Sequence, residues 1–257
     1  MAEPPRSSAC PPASELPRPH PEAAKGEGPG APSAKRLATF WLLYLAGLGL
    51  VFPYQTLYFR ENVGLSGAQL GLLLGTRPLM GMLFQPLWGL VADRTGTRAG
   101  VLATLAVGAA AAYLLVPRAT SFPVLLALFA VAAAFGTSVI PMATSVSMAS
   151  LGARPAERFG RVRVFGTLGF LVMVVAFPSI LDAVQAGRGS HARPGGPSEP
   201  GLGLIFEIAA GFTLLAGAVA AWLPRGAGLT RRAPPGAVRR LLAHRPYRRI
   251  LLFTFLA

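Results

Sequence analysis

The chain has 257 residues, 53% of them apolar and only 13% charged, with 30 glycines, 24 prolines and a mean hydropathy of +0.51, a make-up that excludes an ordinary soluble domain. Its 24 Lys and Arg stand against 10 Asp and Glu, an excess that in a soluble protein suggests nucleic acid; the hydropathy and the lack of a basic-aromatic pattern point to a membrane surface instead, with no nucleic-acid partner. One cysteine, Cys10, excludes an internal disulfide framework, and the scattered His20, His191 and His244 build no metal site.

Residues 1–37 hold nine prolines among Ser, Gly and Glu, so they are expected to form a disordered tail outside the fold. The tail lacks the basic start, apolar run and small-residue site of a secretory signal. From Ala38 the text turns to apolar blocks long enough to span a bilayer, which takes about 20 residues. Six are predicted, at 38–59, 68–90, 99–116, 123–148, 164–183 and 203–223, each bounded by charge, Pro or Gly. Residues 224–249 form a basic stretch expected to be a cytoplasmic loop. Residues 250–257 open a seventh block that the chain end cuts off, which favours a truncated chain over a half-size one that assembles as two parallel copies.

Orientation follows from the basic residues. With a cytoplasmic N-terminus, nineteen of the 24 fall on cytoplasmic segments and four, Arg60, Arg118, Arg188 and Arg193, on outer loops. The remaining one, Arg77, lies inside the second block, about 13 Å from its outer end at 1.5 Å per residue. A charge near the bilayer midplane is costly and functional by default, lining a pathway or facing a partner. Glu207 sits four residues inside the sixth block, from where it can snorkel to water. Glycines at 67, 71 and 75, and at 166 and 169, offer close helix approach, a packing role. Tyr54, Gln55 and Tyr58 supply polar contact points on the first span. No metal motif, phosphate loop, nucleophile elbow or paired carboxylate is present, so no enzyme and no cofactor are expected.

The segment Gly89-Leu-Val-Ala-Asp93-Arg94-Thr-Gly96-Thr-Arg98 resembles the signature loop of the major facilitator superfamily. Leu83–Leu90 and Phe159–Gly166 are similar to the matching positions of its lactose permease group, and Phe52-Pro53 is a looser third match. Gly160 to Gly166 also fits the Gly-x-x-Arg-x-x-Gly pattern of the wider set, which includes nucleoside–proton symporters and phenylpropionate carriers. The resemblance covers about residues 38 to 223 and implies an all-α integral membrane protein: six helices forming the N-terminal half of a twelve-helix carrier, with the C-terminal half missing here. It further implies a gating role for Gly89, Asp93, Arg94, Gly96 and Arg98. Arg163 matches the arginine that binds sugar in the lactose permease group. The acid that partners it there falls on Ser145, beside Thr144, and neither can ionise. That departure leaves Arg163 open to an anionic or differently polar solute.

The resemblance thus implies proton-coupled secondary transport of a small solute of the sugar, nucleoside or aromatic acid class. The expected site is a multi-pass protein of the plasma membrane with its N-terminus in the cytoplasm, and Tyr54, Gln55, Tyr58, Arg77, Thr144, Ser145 and Arg163 are its cavity candidates. A non-transporting scaffold or receptor is the competing expectation. Arg77 separates the two, since a carrier needs polar groups facing a cavity and a scaffold would bury them in fixed pairs.

Overall fold

The structure is a computed structural model that describes residues 31–151, 155–188 and 200–223. The stretch up to residue 30, the basic segment from 224 and the start of a seventh span lie outside the described residues. Six long helices follow in order: α1 (Ala31–Leu57), continued by a π turn (Tyr58–Asn62); α2 (Gly67–Thr95); α3 (Arg98–Leu115), closed by a 3-10 turn (Val116–Arg118); α4 (Phe122–Ser150); α5 (Pro155–Arg188); and α6 (Leu204–Ala221). Five of the six are long and apolar enough to cross a membrane: the spans Ala34–Asn62, Arg98–Arg118, Phe122–Ser150, Pro155–Gly187 and Leu204–Ala221. The expected second span falls short on composition, because α2 carries Gln69, Arg77, Gln85, Asp93 and Arg94 among its apolar residues.

Helix ends run past the expected blocks at charged residues. Helix α1 starts at Ala31, inside the stretch expected as tail, because Leu37 packs into the core and Arg36 reaches across to the Trp222 carbonyl at 3.1 Å. That contact also places a cation at the C-terminal end of α6, where the helix dipole favours one. Helix α2 runs on to Thr95, so most of the signature segment is helix. Only Gly96, at φ +67°, steps into the left-handed region that ends it, its N–H donating to the Ala92 carbonyl at 3.0 Å. Helix α5 starts at Pro155, nine residues before the apolar block. Proline suits a first turn and Glu157 complements the dipole there. At its start α2 has a reciprocal cap: Ser66 Oγ accepts from the Gln69 N–H at 3.3 Å and Gln69 Oε1 accepts from the Ser66 N–H at 3.0 Å.

The helices pack in the order α5, α1, α6, α3, α4, α2. Helix α1 sits between α5 and α6 and is buried along most of its length, while α2 leans almost wholly on α4. The α1–α5 seam is built on glycine. A Cβ on Gly49 would stand 2.5 Å from the Phe170 carbonyl oxygen, one on Gly166 would stand 3.0 Å from that of Trp41, and one on Gly169 would collide with that of Leu42. Gly67, Gly71 and Gly75 behave otherwise. A Cβ at any of them meets nothing within 4 Å, so among the described residues they seat no neighbouring helix.

Two apolar layers fill the bundle. One gathers Leu37, Trp41, Leu102, Val146 and Leu223; the other gathers Phe59, Phe129, Leu202 and Phe206, with Phe59 edge-on to Phe129 at 5.7 Å. The starts of α1, α3 and α5 and the ends of α2, α4 and α6 share one end of the bundle. Contacts of Arg36 with Trp222, Arg98 with Ser145 and Arg158 with Leu151 tie that end together. It carries Lys35, Arg36, Arg94, Arg98, Arg158 and Arg161, and is called the basic end below.

Candidate functional site

Helix α2 turns Arg77, Gly81, Gln85 and Trp88 toward α4, since steps of four, four and three residues stay on one helical face. Along this seam lie two cavities. The first, of about 10 Å³, holds roughly one water and is lined by Arg77, Gln55, Tyr113, Thr137 and Gly136, with Val51, Phe129, Ala132 and Ala133 as its apolar wall. Arg77 stands ten residues from the start of α2, about 15 Å along its axis. Gln55 is only 5% exposed, and its Oε1 is buried without a hydrogen-bond partner. The Tyr44 hydroxyl donates to the Gly136 carbonyl at 3.2 Å, and a Cβ on Gly136 would stand 3.8 Å from the Tyr113 hydroxyl. The Arg77 charge acts on both phenols, so cation, amide and hydroxyls share one low-dielectric neighbourhood where α1, α2, α3 and α4 meet.

The second cavity, about 200 Å³, opens nearer the basic end between α2, α3 and α4. Gly89, Asp93, Arg98, Ser138 and Ser145 are among its lining residues. Arg98, the first residue of α3, donates to Ser145 Oγ of α4 at 2.8 Å and to Asp93 Oδ1 of α2 at 3.2 Å, joining three helices through one guanidinium. Trp88 and Gln85 fasten the same face by donating to the Ala134 and Thr137 carbonyls, at 3.1 and 3.2 Å. The Ser138 hydroxyl is buried there with no partner.

The expected residues therefore divide. The structure brings Gln55 and Arg77 into one cavity, and Gly89, Asp93, Arg98 and Ser145 into the other; Arg94 and Gly96 are exposed at the basic end. Tyr54 turns away to α5, where its hydroxyl donates to the Val174 carbonyl at 2.8 Å and its ring meets Phe177 at 4.8 Å. Tyr58 is buried against Phe59 and Phe206, and the Thr144 hydroxyl donates to the Ile140 carbonyl in its own helix at 2.9 Å. Arg163, half-buried on α5, lies 4.7 Å over the Trp41 ring, while the Trp41 indole N–H donates to Ser147 Oγ at 3.1 Å. Glu207 is exposed in the first turn of α6.

Trp41, Trp88, Tyr113 and Thr137 complete these arrangements and were not among the expected site residues. A polar or indole group within an apolar span was the signal available for each, since such groups find partners when buried.

Comparison with known proteins agrees with the helical frame. Residues 34–229 match the MFS_1 like family. The maltose permease of Geobacillus stearothermophilus is 31% identical over 222 residues, which cover 84% of this chain and 51% of that protein. The uncharacterized transporter YwbF of Bacillus subtilis is 26% identical over 219 residues, covering 85% and 51%. A major facilitator superfamily domain-containing protein 6-like of Danio rerio shares 36% over 70 residues, 27% of this chain and 13% of its own. The chain spans about half the length of the first two relatives, both named as transporters, which are not enzymes. No solved structure matches it. With a family match running from the first turns of α1 past the end of α6, the chain belongs to the MFS_1 like family of the major facilitator superfamily.

Proposed function

We propose that the protein carrying this chain is a secondary active transporter of a small polar or anionic solute, driven by a proton gradient. The observation that carries this reading is the family match across residues 34–229. Transport proceeds by alternating access: two six-helix halves, related by an axis along the membrane normal, rock about a site near the midplane. This chain supplies the first half. Its basic end faces the cytoplasm, because the Lys and Arg bias of the short segments sets orientation, and the protein resides in the plasma membrane. Arg77 with Gln55 at mid-depth, and Arg163 at the start of the fifth span, are its contacts for solute. The Asp93–Arg98–Ser145 junction is its cytoplasmic gate, closing over the second cavity. The sugar in the name of the maltose permease places sugars first among the solutes to try, followed by nucleosides and aromatic acids.

The test is uptake into proteoliposomes holding the protein that carries this chain, with a labelled disaccharide, nucleoside or aromatic acid outside and an imposed proton gradient. The expected outcome is uptake of one class that an uncoupler abolishes. Arg77→Ala and Arg163→Ala are each expected to lose at least tenfold of that uptake while inserting normally. Uptake of none of the three classes by a correctly inserted protein favours the scaffold reading, and uptake insensitive to the uncoupler removes proton coupling.

A further inference from the structure

The second cavity is a slot with polar ends. Its α2 wall carries Gln85, Trp88 and Ala92 and its α4 wall Ser138, Met142 and Ser145, each set spaced by three or four residues and so on one face of its helix. Both helices run toward the basic end, and Gln85 donates to the Thr137 carbonyl at 3.2 Å. Gln85 and Ser138 therefore share the deep end of the slot, while Asp93, Arg98 and Ser145 share the basic end. Ser138 and Ser145 stand seven residues apart, about 10 Å along α4. Between them the walls are apolar, with Trp88 on one side and Met142 on the other. A Cβ on Gly89 would meet nothing within 4 Å, which leaves the slot open at mid-length. Its volume of about 200 Å³ has room for an aromatic ring with small substituents, since an apolar cavity of about 150 Å³ accepts a benzene.

The two ends differ in chemistry. At the deep end the Ser138 hydroxyl is 3% exposed and has no hydrogen-bond partner among the described residues. A buried hydroxyl costs free energy until a partner is supplied, and either a donor or an acceptor satisfies it. At the basic end Arg98 and Asp93 carry opposite charges, but the Asp93 side chain is 60% exposed and that of Arg98 18%. Solvent therefore screens the carboxylate far more than the guanidinium, and the field inside the slot is positive. Ser145 accepts from Arg98 and keeps its own proton to donate. That end suits an anion, while the flat indole of Trp88 and the thioether of Met142 suit an aromatic ring between the ends. With a hydrogen bond of about 2.8 Å at each end, the polar groups of the occupant lie roughly 5–10 Å apart. We propose that the slot binds a small aromatic monocarboxylate that carries a hydroxyl across the ring, the carboxylate resting at Arg98 and Ser145 and the hydroxyl on Ser138. Arg77, Gln55 and Arg163, the solute contacts proposed above, take no part in it. The binding holds whether or not the Asp93–Arg98–Ser145 junction is a gate.

The protein that carries this chain, purified in detergent, is titrated calorimetrically with para-hydroxybenzoate, benzoate and para-hydroxybenzyl alcohol. One para-hydroxybenzoate per chain is expected, with benzoate about fivefold weaker for want of the hydroxyl and the uncharged alcohol about tenfold weaker for want of the carboxylate. Ser138→Ala should lower the affinity for para-hydroxybenzoate to that for benzoate and leave benzoate unchanged, a selective loss that a misfolded variant would not give. Gly89→Leu, which sets a side chain in the open stretch of the slot and alters no polar group, should abolish binding of both acids. Absence of saturable para-hydroxybenzoate binding, or a preference for it over benzoate that survives Ser138→Ala, overturns the proposal and leaves water in the slot. Binding that Arg77→Ala removes and Gly89→Leu leaves intact also overturns it, because the acid would then sit at mid-depth among the solute contacts.

Discussion

Arg98 shows how much a single side chain can organise. Two of its bonds, 2.8 Å to Ser145 and 3.2 Å to Asp93, differ in setting, since the Asp93 side chain is 60% exposed and that of Arg98 18%. An ion pair so open to solvent contributes about 0–1 kcal/mol, so the bond to Ser145, a charged donor on a neutral acceptor in a half-buried place, is the stronger link. A double-mutant cycle over Arg98→Ala and Ser145→Ala, read by thermal unfolding in detergent, is expected to give a coupling of about 1 kcal/mol, larger than the cycle over Arg98→Ala and Asp93→Ala. The proximity of Asp93 and Arg98 was legible in the signature segment. The part played by Ser145, forty-seven positions away, was not. Nor was the parting of Tyr54 from Gln55. These neighbours differ by about 100° on the helix, one meeting α5 and the other the Arg77 cavity, and a span apolar on every side carries no periodicity that would say which way it faces.

At the scale of elements, the glycine seam and the open glycines of α2 make opposite predictions from one residue type. Gly169→Ala places a methyl group against the Leu42 carbonyl oxygen, which cannot yield without moving α1, so a loss of about 1–3 kcal/mol is expected. Gly75→Ala meets nothing within 4 Å and gains helix propensity, so in this chain it should be neutral or stabilising by up to about 1 kcal/mol. Thermal unfolding of both variants in one detergent checks the pair. Equal losses would remove the seam as the reason for glycine. The apolar blocks made the six helices legible, and their ends less so. Gly89 to Thr95 and Pro155 to Arg163 resemble loops in composition, yet they continue as helix where the chain leaves the hydrocarbon and charges are welcome.

On the scale of the whole molecule, Cys10 is the sole cysteine of these 257 residues and precedes α1 in the sequence, so with any cysteine outside them replaced by serine it reports topology. A membrane-impermeant maleimide applied to intact cells is expected to leave it unlabelled and to label it once the membrane is opened. Labelling of intact cells would reverse the orientation and with it the assignment of the basic end to the cytoplasm. The packing order itself, α5, α1, α6, α3, α4, α2, lay beyond the text, because small residues and shape set lipid-embedded contacts while hydropathy does not. That order contains one closure: through Arg36 and the Trp222 carbonyl, the first helix of the bundle begins where the sixth ends. A bundle closed in this way has no privileged starting point. Joined by a short linker there and opened at Gly96 and Thr97, the chain would begin with α3, which enters from the same end as α1, and every helix would keep its direction. The order in which the helices are synthesised is therefore separable from the arrangement they reach, and circular permutation offers a means of asking which helix must enter the membrane first.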